Sequence, residues 1–130
     1  MPSSSRGMSS DVLLDTSLII AHLRGKTDVR DHVADDALLF ASLFPVGELE
    51  MGINRADDPD REREKVKLFM DNVAVLMPDS ATAFIYGRTA ASLERSGKRI
   101  PENDIWNASV ALECQMKLAT GTTILSESRD

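Results

Sequence analysis

A single α/β domain with a central parallel sheet is the fold class this sequence predicts, and three observations predict it. Short, mainly apolar runs recur at 12–14, 38–42, 73–77 and 117–120, too short for helices and without the alternation of a half-exposed strand. The segments between them carry apolar residues at spacings of three and four, the helical period. Strand and helix therefore alternate, the signature of a parallel sheet covered on both faces.

Val12-Leu13-Leu14 reads as a central strand, apolar on both faces, ending at Asp15-Thr16-Ser17. Residues 18–23 then read as a helix closed by Gly25, with Thr16 or Ser17 as its cap. A second helix is expected over 27–36, where Val29 and Val33 lie one turn apart. Residues 38–42 form the second strand. Pro45 is expected to begin the next helix, with Val46, Leu49 and Ile53 facing inward and Glu48 and Glu50 off that stripe. A turn at 56–59 leads to a charged helix over 60–72, with Val66, Phe69 and Met70 inward and Arg61, Arg63, Lys65 and Lys67 outward. That basic cluster reads either as a solvated face or as a local RNA contact. A third strand is closed by Pro78, and a helix over 79–96 follows, capped by Asp79 or Ser80, with Ala83, Tyr86, Ala90 and Leu93 on one side. After the loop 96–99, Pro101 opens the last helix, with Asn103 as a candidate cap. Its buried stripe is Ile105, Ala108, Ser109, Leu112 and Met116, and a fourth strand begins at Lys117.

At 130 residues, 42% hydrophobic and 28% charged, the chain can bury a proper core. Its net charge of −6 argues against metal-free binding along a phosphate backbone. No apolar run reaches membrane-spanning length. The lone Cys114 reads as a small core residue in a reducing, cytoplasmic setting. Residues 1–10 lack the apolar segment of a signal peptide and are expected to be a disordered extension, with Met8 an alternative start.

Three acids stand out by position: Asp15 after the first strand, Glu48 in the helix after the second, and Asp104 in the first turn of the last helix. Open α/β sheets bind ligands outside the carboxyl ends of their strands. Carboxylates gathered there resist full ionisation without a cation, and oxygen-only ligands select a hard ion, Mg²⁺ or Mn²⁺. Such an ion polarises a phosphoryl oxygen and activates water, the chemistry of phosphodiester hydrolysis. The sequence shows no nucleophilic serine with a paired base, no glycine-rich phosphate loop, and only two isolated histidines, His22 and His32. An unrelated phosphatase or receiver domain is disfavoured, because Asp15-Thr16-Ser17 lacks a second aspartate two residues on and no suitable lysine follows a late strand.

The segments 12–17, 46–52 and 100–109 resemble the three successive motifs of PIN domains, most closely those of VapC toxins from bacterial and archaeal toxin–antitoxin modules. The resemblance spans residues 11–121, taken as the domain. It implies a three-layer α/β/α fold, Mg²⁺- or Mn²⁺-dependent endoribonuclease activity, a homodimer, and inhibition by a small VapB-type antitoxin. It makes Asp15, Glu48 and Asp104 the metal-binding carboxylates, and it places Ser17 and Thr120 at polar positions close to the metal.

The tail, 122–130, departs from that pattern. The fourth acidic position of the family falls on Thr122, and an aromatic, a glycine turn and a last strand are expected where Thr122-Thr123-Ile124-Leu125-Ser126-Glu127-Ser128-Arg129-Asp130 stands. One set of codons for these nine residues, read with a single added base, encodes Asp-Asn-His-Phe-Glu-Arg-Val-Glu-Gly, a family-like ending. The tail is therefore read as the product of a one-base loss. The expected consequences are a weakened second metal site, an uncovered sheet edge, and reduced or absent activity. The alternative reading of the whole chain is a catalytically inactive PIN-domain protein that keeps antitoxin binding and dimerisation.

Overall fold

A computed structural model describes residues 11–120 together with Ile124 and Leu125. Strand β1 (Asp11–Leu14) leads into helix α1 (Thr16–Leu23), and β2 (Leu38–Ser42) into α2 (Leu43–Arg55). Helix α3 (Pro59–Met70), β3 (Val73–Leu76), α4 (Ser80–Arg95), α5 (Glu102–Cys114), β4 (Lys117–Ala119) and β5 (Ile124–Leu125) complete the order. The strands form one sheet in the order β3-β2-β1-β4-β5. The first four are parallel and β5 runs antiparallel to β4.

The pleat sorts the strand side chains between two cores. Val12, Leu14, Leu39, Ala41 and Ala119 face one side, where Leu18 and Ile19 of α1, Leu49 of α2 and the half-buried Val66, Phe69 and Met70 of α3 meet them. Leu13 and Leu118 face the other side and pack on Val110 and Ala111 of α5 and on Met116. Helix α4 packs against α5. The result is the expected three-layer α/β/α arrangement. Leu13, Leu14, Leu18 and Ile19 are wholly buried, each contributing about 1.5–3 kcal/mol of hydrophobic stabilisation.

Several boundaries differ from expectation. The helix over 27–36 is a single 3-10 turn, Val29–His32. The Asp28 carboxylate accepts the Arg30 amide there, and Val33 is already extended, so the two valines share no helical face. Helix α2 starts two residues before Pro45, because the Ser42 hydroxyl accepts the Phe44 amide and proline is tolerated in a first turn. In α4 the buried position is Thr82 rather than Ala83: Asp79 and Thr82 form a reciprocal capping box, and that turn faces α5. Neither Thr16, Ser17 nor Asn103 caps a helix through its side chain; Asp15 and Pro101 occupy those cap positions. Cys114 is exposed rather than core, at the last turn of α5 before Gln115 turns the chain with φ 57°. The sheet edge beside β4 is not bare, since Ile124 pairs with Ala119 and Leu125 with Leu118. A last strand therefore forms without the family-like ending. Thr122, the residues after Leu125 and the extension before Asp11 lie outside the described residues.

Candidate metal and nuclease site

The strand order reverses at β1. The connections from β1 to β2 and from β2 to β3 step one way, and β4 lies on the other side. The crevice between the carboxyl ends of β1 and β4 is thus a topological switch point, where open α/β sheets place ligands. Asp15 is the first residue past β1. Its amide continues the ladder by donating to the Ala119 carbonyl at 2.9 Å, which sets it beside Thr120 at the end of β4.

Neutral side chains hold the acids. Asn107 Nδ2 donates to Asp15 Oδ1 at 2.8 Å, and Ser17 Oγ donates to Asp15 Oδ2 at 3.2 Å. Thr16 Oγ1 donates to Glu48 Oε1 at 2.5 Å, which ties the start of α1 to the middle of α2. Asp104 lies in the first turn of α5, one turn before Asn107. Burial pushes its carboxyl above the usual carboxylate range, and the negative charges of Asp15 and then Glu48 push it further. The three predicted acids therefore share one electrostatic field. Among the described residues, no lysine, arginine or histidine forms an ion pair with any of them.

The first turn of α5 is held by a stack of rings. Trp106 lies between Phe44 of α2, with centroids 5.1 Å apart, and Tyr86 of α4, at 4.0 Å, both pairs 19° from parallel. These are half of the six phenylalanine, tyrosine and tryptophan residues in the chain. Their clustering on the turn that carries Asp104 and Asn107 fixes that turn against two other helices.

Oxygen is the only donor type these acids offer, which suits a hard divalent ion. Among the described residues, no group of three or more His, Cys, Asp or Glu side chains is arranged to hold a metal ion jointly. Mg²⁺ commonly takes one or two carboxylates and keeps several waters. The residues present fit that water-completed mode rather than an all-protein cage.

The histidines and the basic cluster are engaged elsewhere. His22 Nδ1 accepts the Val29 amide and its ring lies against Phe69, while His32 pairs with Thr27. Of the basic residues on α3, Arg63 pairs with Glu50, Lys65 with Glu62 and Lys67 with Asp71, which favours the solvated-face reading over an RNA contact. As site residues, Thr16, Ser42 and Asn107 emerge only from the structure. Asn107 lies off the predicted stripe of α5, because the helix buries Asn107, Val110 and Ala111 in place of the expected Ala108 and Leu112.

The sequence pattern of the PIN domain matches residues 12–127. The chain belongs to the PIN-domain family. Ribonuclease VapC1 of Haemophilus influenzae is 27% identical over 112 residues, spanning 83% of this chain and 84% of that relative. The structure of VapBC-1 from nontypeable Haemophilus influenzae superposes with a TM-score of 0.76 at 25% identity, over 86% of this PIN domain chain and 87% of the other. VapBC2 of Rickettsia felis, solved with a promoter DNA fragment, shares the fold with a TM-score of 0.79 at 21% identity, over 85% and 86% of the two chains. Among the described residues, no helix of the PIN domain is long and apolar enough to cross a membrane.

Proposed function

We propose that this PIN domain is the toxin of a type II toxin–antitoxin module, an endoribonuclease that hydrolyses RNA phosphodiester bonds with Mg²⁺ or Mn²⁺. The observation that carries this reading is the placement of Asp15 at the switch point, bonded there to Asn107 from the helix that carries Asp104, with Thr16, the next residue, bonded to Glu48. The likeness to Ribonuclease VapC1 supports the reaction class. A bound ion would neutralise charge on the scissile phosphate and supply a nucleophilic water. Asp15 would be its principal ligand, kept in one orientation by Asn107 and Ser17. Glu48, fixed by Thr16, and Asp104 would hold the ion's waters. Thr120 follows β4 beside Asp15, a place that suits a polar contact to the same shell.

The partner in this reading is a VapB-type antitoxin in the cytoplasm, supported by the VapBC complexes that share the fold. A basic side chain inserted among the three acids would match both their charge and the net charge of −6. A homodimer belongs to the same reading. Leu43 and Met51 of α2 and Phe84 of α4 are 41%, 48% and 65% exposed, apolar surface that a second copy would cover.

The test is cleavage of total cellular RNA by the purified, antitoxin-free chain with Mn²⁺ or Mg²⁺. Asp15→Asn is expected to lower cleavage on the order of a thousandfold, the effect of losing several kcal/mol of metal assistance. Cleavage that survives this change sinks the metal-site reading. Thr122 at the fourth acidic position favours a second reading, in which the chain binds its antitoxin and dimerises without cleaving RNA. Inactivity of the chain as it stands, with cleavage restored by Thr122→Asp, selects it.

A further inference from the structure

Asn107 is hard to explain as packing. It is only 1% exposed, in a helix whose neighbouring Val110 and Ala111 bury apolar groups against the sheet. A buried amide is costly unless its nitrogen and oxygen both find partners. Here both do, in a line. Ser42 Oγ, wholly buried at the end of β2, donates to Asn107 Oδ1 at 2.7 Å, and Asn107 Nδ2 donates to Asp15 Oδ1 at 2.8 Å. The two bonds settle which way the amide faces. Turned over, it would aim Oδ1 at a carboxylate oxygen, acceptor against acceptor. Ser42 also accepts the Phe44 amide, so its hydroxyl proton is directed onto Asn107. Three elements that are distant in sequence are thus joined in one line of bonds, from Ser42 at the end of β2 through Asn107 of α5 to Asp15 after β1.

We propose that Asn107, oriented by Ser42, is the positioning residue of Asp15. It fixes the rotation of the carboxylate with a neutral donor, so the full negative charge remains for a divalent cation. A lysine in this place would hold the carboxylate and cancel its charge. An aliphatic residue would leave the carboxylate held only through its other oxygen, by the longer 3.2 Å bond from Ser17. Partners one shell out from a metal typically tune affinity 10- to 100-fold in this way. The inference rests on the reading of Asp15 as a metal ligand.

The experiment is calorimetric titration of the purified full chain with MnCl₂, alone and as Asn107→Leu, Ser42→Ala and Asp15→Asn, each checked for folding by circular dichroism. Asn107→Leu is expected to bind Mn²⁺ roughly 10- to 100-fold more weakly. Ser42→Ala should show a smaller loss, about three- to tenfold, because the amide survives but is free to turn. Where the chain cleaves RNA, saturating Mn²⁺ should restore the kcat of Asn107→Leu, which damage to the fold would not allow. If Asp15→Asn removes binding while Asn107→Leu and Ser42→Ala match the parent, the proposal is overturned and the metal site stands. If the parent and Asp15→Asn respond to Mn²⁺ alike, the acid-site reading fails and this proposal fails with it. If Asn107→Leu does not fold, Ser42→Ala decides, and unchanged affinity there overturns the proposal.

Discussion

The two faces of the sheet are built by different rules. Toward α1 and α3 the buried groups of the core are all apolar, from Val12 and Leu14 through Leu18 and Ile19 to Leu39 and Ala41. Toward α5 the buried apolar cluster is half that size, five residues against ten. Among the described residues, the four fully buried polar ones, Ser42, Thr82, Asn107 and Ser109, all lie in α5 or bond to it. Thr82 donates to Glu113 near the end of α5, and Ser109 donates to the Ile105 carbonyl within it. The lesson is a division of labour. One face supplies stability through non-directional burial, and the other gives up apolar area for directional bonds, one line of which, Ser42 to Asn107 to Asp15, reaches the switch point.

The sharpest way to break this comparison is to damage the apolar face alone. Ile19 is fully buried in the larger core, and Ile19→Ala should lower unfolding free energy by about 2–5 kcal/mol. Chemical denaturation measures that loss, and Mn²⁺ affinity at a temperature where the variant stays folded should be close to that of the parent. A matched loss of affinity would mean the two faces are not separable. Trp106→Ala probes the other face. It removes both ring contacts from the turn carrying Asp104 and Asn107, and a stability loss of about 2–4 kcal/mol is expected for a half-buried ring of this size. Unlike Ile19→Ala, it should also weaken Mn²⁺ binding, with Trp106→Phe restoring most of it.

This contrast also decides what can be read from the sequence. Apolar strands announce themselves by composition, so β1 to β4 and the inward residues of α3 are legible almost to the residue. Asp15 is legible because an acid directly after a buried strand stands where an open α/β sheet meets its ligand. Polar packing has no such periodic signal. Asn107 and Ser42 are ordinary residues until tertiary structure brings their side chains within 2.7 Å of each other. The helix expected over 27–36 fails for a local reason: Asp28 bonds its own turn, and only Val29 of the two valines becomes fully buried. The last strand is hidden in the sequence because two residues pairing antiparallel with β4 need neither a long apolar run nor the family's usual ending.

Asp104 gives the smallest effect and the finest test of the polar face. Its carboxyl sits above the ordinary value of 3.8 through burial and the charges of Asp15 and Glu48. The folded chain therefore binds that proton more tightly than the unfolded chain, and stability falls as pH rises through the raised value. At neutral pH the ionised Asp104 works against the fold. Asp104→Asn should melt slightly above the parent at pH 7, with the gap closing as pH falls below the ordinary carboxylate value of 3.8, where the carboxyl is neutral both folded and unfolded. The group is exposed enough for solvent to screen much of the effect, so a shift of about a few degrees at most is expected. Saturating Mn²⁺ should reverse the order, because a cation turns the crowding of three acids from a cost into a binding site. An unchanged order with Mn²⁺ would place Asp104 outside the ion's field. Only Asp15 and Glu48 would then be left to act on the metal, and of these the polar face holds only Asp15.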